Sequence, residues 1–411
     1  MKAVVCGAGI AGLTAAQCLS RHGCDVVLLE RASGPRTHGY MIDFIGPGYD
    51  AAETMGILPR LRELGYAVEE AGYYDESGRR RAVIRYAAFA NPVGGRLLSI
   101  MRPDLELALR ESLPGNVDLR FGAEVTDVSD GARCVQVGTA DGTGYKADLL
   151  VGADGVHSTV RGLVFGAENR YFKYLGFHTA AFTFDDPEVQ ALVRDRFCLS
   201  DSTRAQLGCY GLRDGRVAVF AVHRTLDPTL PDDHTAALRR EYLGLGWVAP
   251  RVLAACPPGD EVYYDQVAQI VMPRWSSGHV VLVGDAGYAV SLLAGMGASL
   301  GIGGAYVLAE QLARAATVPD ALEAYERTWR PVITDKQASA RNSARWFLPR
   351  SRAELLVRRA ALRLFRLPGL DRYLIRLLSG KQTAVVRALA AAPGTAAVPN
   401  PGGRAARPRA R

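Results

Sequence analysis

What this 411-residue chain lacks narrows the field first. Its seven cysteines (Cys6, Cys18, Cys24, Cys134, Cys198, Cys209, Cys256) are scattered and form no Cys-x-x-Cys pair. That argues against a disulfide framework, a zinc-thiolate site and dithiol redox chemistry. No run of eighteen apolar residues is free of glycine or charge, so no membrane-spanning helix is expected. There is no internal repeat and no sustained heptad pattern, which removes solenoids and coiled coils. No metal-ligand cluster, paired carboxylates or nucleophile–base spacing stands out, so no metal site is expected and any chemistry falls to a bound group. With 48% hydrophobic and 22% charged residues, what remains is an ordinary globular protein long enough for a large core.

Charge is unevenly placed. From residue 341 onward there are sixteen Lys and Arg against Glu354 and Asp371, whereas the preceding residues carry 33 basic against 40 acidic groups. Residues 391–411, rich in Pro, Gly, Ala and Arg, read as a disordered basic tail. Before it, AELLVRRAALRLFRL sets Arg358, Arg359, Arg363 and Arg366 against Leu355, Leu356, Leu362 and Phe365 at helical spacing. That pattern fits a helix packed on the body with a solvated basic face, or one touching a membrane surface. No nucleic-acid-binding module is recognisable.

The N-terminal stretch KAVVCGAGIAGLTAAQCLSRHGCDVVLLER carries the first motif. A short β-branched strand runs into Gly7-x-Gly9-x-Ala11-Gly12, then an alanine-rich helix to about Arg21, then a strand ending at Glu30. Gly7 makes the tight turn, Gly9 lets a pyrophosphate approach the backbone, and Gly12 lets the helix lie close to the strands. Glu30 stands where an acid takes the ribose hydroxyls, so the ligand is a dinucleotide, FAD or NAD. This spacing also argues against reading the stretch as an export signal, and a cytoplasmic location is expected.

Two later segments repeat the strand-then-glycine theme. ADLLVGADGVHSTVR runs a strand into Asp154-Gly155, with Ser158 placed to cap a helix and Arg161 one turn on. VVLVGDAGY ends a strand on Gly284-Asp285, and Gly295-Met296-Gly297 opens the next helix. Asp285 can accept hydrogen bonds from a sugar-like chain, and amides at that helix start can stabilise negative charge on a flat ring.

Taken together, Gly7-x-Gly9-x-x-Gly12 with Glu30-Arg31, Asp154-Gly155 and Gly284-Asp285 resemble the three motifs of the group A flavin monooxygenases, the class of para-hydroxybenzoate hydroxylase. The resemblance spans residue 1 to about 312. PRTHGYMIDFIGPGYDAAETMGILPRL is similar to the tetracycline-inactivating branch and its relatives in antibiotic biosynthesis, and it implies that Arg36 and Asp43 lie near FAD. Arg102 of SIMRPDLELAL is implied on the phosphate and ribityl side, and Asp154, Gly155 and Arg161 in serving FAD and passing NADPH or NADH. Where many members read Gly-Asp-Ala-Ala-His and then a proline, this chain has Gly287-Tyr288 and Leu292, which bears on the loop beside the ring.

The resemblance implies FAD reduced by NADH or NADPH, capture of O2 as a C4a-hydroperoxide, and hydroxylation or epoxidation of a small hydrophobic, secondary-metabolite-type substrate. A non-oxygenating reductase or oxidase, or a flavin-binding cyclase or template without turnover, remains compatible with the residues. A halogenase is less so, because Trp247, Trp275, Trp329 and Trp346 form no Trp-x-Trp-x-Ile stretch.

The expected architecture is α/β. A Rossmann-like FAD-binding domain is assembled from residues 1–65, 101–167 and 276–316. An antiparallel substrate sheet comes from 66–100 and 168–275, and a helical region from 317–390. His178, Tyr210, Phe220, His223, Tyr263 and Tyr264 are candidates to face substrate. Pro331 marks a kink or start in the long helical stretch, and a monomer or homodimer is expected.

Overall fold

The computed structural model describes residues 1–36, 39–364 and 383–392. Phe365, Arg366 and the tail from residue 393 lie outside the described residues, so their expected states are not addressed by it.

β-branched and leucine-rich runs flanked by glycine build a six-stranded sheet with spatial order Ser276–Ser277, Val280–Leu282, Leu149–Gly152, Lys2–Cys6, Asp25–Glu30, Val117–Phe121. All neighbours are parallel except the short Ser276–Ser277 edge. The central strands Lys2–Cys6, Leu149–Gly152 and Val280–Leu282 are buried on both faces, which explains their apolar runs, whereas the edge strand Val117–Phe121 exposes Asp118 and Arg120. Helices Ile10–Arg21 and Gly297–Arg314 pack on each other over the sheet. A three-stranded antiparallel sheet, Val125–Asp130, Val135–Thr139 and Gly144–Ala147, completes this layer system.

The second large sheet has seven strands, in the order Tyr263–Ile270, Phe172–Phe184, Val217–Arg224, Ala205–Gly211, Arg196–Asp201, Glu70–Tyr74, Arg80–Arg85. It departs from a purely antiparallel layer in one place. Arg196–Asp201 pairs parallel with Glu70–Tyr74, which joins two sequence-distant pieces of the chain into one sheet. Leu97–Met101 pairs instead with Met41–Ile45 in a separate two-stranded ribbon.

The helix Val318–Phe347 runs through Pro331, so that proline is interior and not a start. Glu326 anchors this helix by accepting the amides of Trp275 (2.7 Å) and Ser276 (2.8 Å). Gln337 adds bonds to the carbonyls of Ile270 (2.7 Å) and Ala289 (3.1 Å).

The helix Arg352–Leu364 uses two of its arginines inward. Arg358 and Arg359 both pair with Asp201 on the seven-stranded sheet, and Leu362 joins Ala82 and Ile84 in a small apolar cluster. Its outward face shows Leu356 (65% exposed) and Val357 (61%). The last described helix, Val385–Ala391, packs against helices Pro47–Thr54 and Gly297–Arg314, and its Arg387 pairs with buried Asp50 at 3.1 Å. Among the described residues no helix is long and apolar enough to cross a membrane, and the seven cysteines are free thiols, all buried except the half-buried Cys134.

Candidate active site

Strand register brings the three glycine segments together. Cys6 stands level with Gly152 and Leu29, and Gly152 with Leu282. The residues that follow, Gly7, Ala153 and Val283, therefore leave the sheet at one carboxyl edge, where open α/β sheets bind ligands. Amides are passed along that edge, Gly7 to Leu29 O (2.7 Å), Ala153 to Cys6 O (2.8 Å) and Val283 to Gly152 O (2.9 Å).

Each small residue there answers to a different neighbour. Gly7 has φ +100°, and a Cβ on it would lie 2.6 Å from Ala153 O. A Cβ on Gly12 would sit 1.8 Å from Gly7 O. Ala11 presses on Gly284, whose Cβ position is 2.8 Å from Ala11 Cβ, and on Gly301. Gly9 differs, since the nearest atom to its Cβ position is Glu106 Oε1 at 4.0 Å. The protein does not need that glycine for its own packing, and the space it leaves faces the start of helix Ile10–Arg21, which has no side-chain cap and no acid in its first turn. That is the form of a diphosphate seat, so the residues present fit an FAD or NAD pyrophosphate.

Glu30 accepts the amides of Ala8 (2.8 Å) and Ala32 (3.0 Å), which leaves carboxylate lone pairs for hydroxyl donors. Arg31, which follows Glu30 in the chain, and Arg36 are exposed. Asp154 is tied to its own helix, accepting from Ser158 Oγ (2.5 Å) and the Val160 amide (3.0 Å); burial pushes its carboxyl above the usual range while those bonds pull it down. Ser158 caps the helix as its position implied, accepting the Arg161 amide. Gly155 needs its glycine for φ +87°.

Arg161 is wholly buried and braces motif to motif. Its guanidinium donates to Ala286 O (2.9 Å), Val156 O (2.7 Å) and Glu168 (2.6 Å). His157 extends the brace to the other sheet by bridging Glu168 (3.0 Å) and Asp265 (3.2 Å); the Asp265 bond is the main cause of its pKa being raised to about 9.

Asp285 has an exposed side chain just past the end of its strand, though protein atoms crowd around it. That surround pushes its carboxyl upward while Arg102 pulls it down. Gly295 (φ +62°) and the half-buried Gly297, whose Cβ position is 3.7 Å from Asp285 Oδ1, flank Met296 at the uncapped start of Gly297–Arg314. Arg102 donates to Glu106 (3.1 Å), and its own amide donates to Tyr40 O (3.0 Å). Burial opposes the Arg102 cation, but Tyr40 and Glu106 outweigh it and hold the guanidinium above its ordinary value.

Ser291, next to Leu292 where the chain departs from the commoner loop, holds φ +101°, a strained conformation of the kind found at functional sites. Tyr288 is a core residue. It is 2% exposed, packed on Trp275 at 4.6 Å and bonded to Tyr325 Oη at 3.0 Å. Asp43 lies deeper along the ribbon, accepting from Ser99 (2.7 Å) and Tyr86 (3.2 Å).

The pleat of the seven-stranded sheet divides the substrate candidates. Phe220 and Tyr263 share one face, with Tyr40 packed 5.6 Å from Phe220 and 6.0 Å from Tyr263, and Phe347 6.4 Å from Phe220. Tyr210 shares that face further along and accepts the Met41 amide. Sequence reasoning missed Tyr40 and Phe347, because nothing local marks a residue that meets its partner only through the fold.

His178, His223 and Tyr264 lie on the opposite face, beneath helix His234–Tyr242. Tyr264 Oη is 3.4 Å from His223 Nε2 and 3.5 Å from His178 Nδ1, and His223 Nδ1 is 3.2 Å from Tyr242 Oη. These histidines were candidates to face substrate. The sheet places them in the outer core instead, because alternate residues of a strand point to opposite faces.

That placement gives a pH prediction. Burial lowers the His223 pKa from 6.5 to about 4, and burial lowers that of His178 as well. The unfolded chain takes up protons below pH 6.5 that the folded protein refuses. Stability is therefore full above that pH and is lost as pH falls toward 4, by about 3 kcal/mol for His223. Urea midpoints of wild type and His223→Gln between pH 7.5 and 4.5 check this. Parallel curves for the two proteins would refute it.

Residues 1–339 match the family described as FAD binding domain. The FAD-dependent monooxygenase asL6 of Sarocladium schorii is 31% identical over 82% of this chain and 86% of its own. The chain belongs to this family of class A FAD-dependent monooxygenases. An uncharacterized protein of Mycobacterium tuberculosis is similar at 35% identity over 75% of this chain and 84% of its own. Among solved structures, the tetracycline destructase Tet(51) superposes with a TM-score of 0.78 at 25% identity, covering 93% of this chain and 98% of that one. FAD is the cofactor of this monooxygenase.

Proposed function

We propose that this monooxygenase consumes NADH or NADPH and O2 to hydroxylate or epoxidise a small hydrophobic substrate of the aromatic, secondary-metabolite type. The reading rests above all on the wall of Tyr40, Phe220, Tyr263 and Phe347 standing beside Asp285 and Arg102. A flat apolar molecule can lie on that wall, and the likeness to a tetracycline destructase favours a fused polycyclic ligand.

In this reading the helix starting at Ile10 takes the pyrophosphate, Glu30 the adenosine ribose, Arg102 the phosphate and ribityl side, and Asp285 the ribityl hydroxyls. Amides around Gly295 and Gly297 hold the carbonyl edge of the ring. When bound and reduced, the flavin activates O2 so that one oxygen atom reaches the substrate and the other leaves as water. The chain's own share is to grip, orient and exclude water.

Asp285→Ala removes an acceptor from bound hydroxyls, a loss of about 1.5–3 kcal/mol. We therefore expect FAD to bind about ten- to a hundredfold more weakly, read by flavin fluorescence on titration. Unchanged affinity would count against the assignment. For the reaction, the FAD-loaded protein is reduced anaerobically with NADH or NADPH and then given isotopically heavy O2 with polycyclic aromatic candidates. One heavy oxygen in the product is the expected result. Saturation of an alkene without oxygen incorporation would make the protein a reductase.

A further inference from the structure

We propose that Glu106 sets the affinity of the pyrophosphate seat by holding a negative charge on its far wall and occupying part of Arg102. This rests on the FAD reading above and adds a residue to it. Glu106 is 5% exposed, lies on helix Arg102–Glu111, and turns its carboxylate toward the first helix, with Oε1 4.0 Å from the Cβ position of Gly9. A diphosphate seated at Gly9 therefore meets helix amides on one side and a carboxylate on the other.

Among the described residues, the cation paired with that carboxylate is Arg102, whose Nε donates to Glu106 Oε1 at 3.1 Å. Arg102 is also drawn toward Asp285 and the Tyr40 hydroxyl. Like charges brought together in a half-enclosed slot repel strongly, because little water lies between them. The carboxylate thus opposes the phosphates directly and also draws on the guanidinium that would offset them. Neutralising it should strengthen binding of anything that carries the diphosphate.

The test titrates the FAD-free protein with FAD and with ADP, comparing wild type, Glu106→Gln and Glu106→Ala, with thermal unfolding as a check on folding. Both variants are expected to bind FAD and ADP about tenfold more tightly, the effect of removing one nearby like charge. Unchanged or weaker binding by folded variants would overturn the proposal, as would tightening for FAD alone, which would move the effect to the ring end. Wild-type protein that binds neither ligand would fail the FAD reading itself, a result distinct from variants that do not tighten.

Discussion

Gly12→Ala is expected to abolish flavin retention and to lower the stability of the FAD-free protein by at least about 3 kcal/mol. The added methyl would stand 1.8 Å from Gly7 O and 3.0 Å from Gly7 C. Both obstacles are backbone atoms, so no side chain can rotate away. Either helix Ile10–Arg21 lifts off the strand or the Gly7 turn opens, and either movement breaks the seat. Gly9→Ala is the control. Its backbone (φ −79°, ψ −174°) suits alanine and its methyl meets nothing nearer than 4.0 Å. Stability should therefore hold while FAD binding falls, because the methyl enters the space facing the helix amides. Unfolding midpoints and FAD titrations of the two variants separate a glycine needed by the fold from one needed by the ligand. Equal behaviour of the two would refute the distinction.

The contrast also shows which information the sequence carries locally. Turn sterics, helix starts and strand ends depend on residues within a few positions, so Gly7, Gly12, Ser158 and Gly284-Asp285 could be read directly. The convergence of three motifs follows once parallel pairing is assumed, since each ends a buried strand and the register sets them level. The facing of the substrate sheet was not legible, because residues 177–182 are buried on both sides of the strand. With no polar face, alternation cannot say which residues look toward the cofactor. His178 and Phe220 are equally plausible from sequence, and only the helices covering the outer face decide between them. Glu106 could not be singled out from sequence either, for its meaning comes from Gly9, nearly a hundred residues away.

The same limit applies to the C-terminal arginines, and there the expected effect is again large. Asp201 has a side chain with 0% exposure facing two guanidinium groups, those of Arg358 (4%) and Arg359 (18%), the latter at 2.7 Å. Asp201→Ala leaves one buried and one half-buried cation without their carboxylate, a change worth about 3–5 kcal/mol. Burial already lowers the pKa of Arg358, so the cation depends on what surrounds it. Unfolding of the FAD-free protein by urea should show that loss, and trypsin should cut sooner in helix Arg352–Leu364. Adding Arg358→Met and Arg359→Met to Asp201→Leu should recover most of the stability, because well-packed apolar side chains remove the desolvation penalty along with the charges. A single Asp201→Ala that unfolds within about 1 kcal/mol of wild type would mean that the helix is held by its apolar contacts alone, through Leu362 against Ala82 and Ile84.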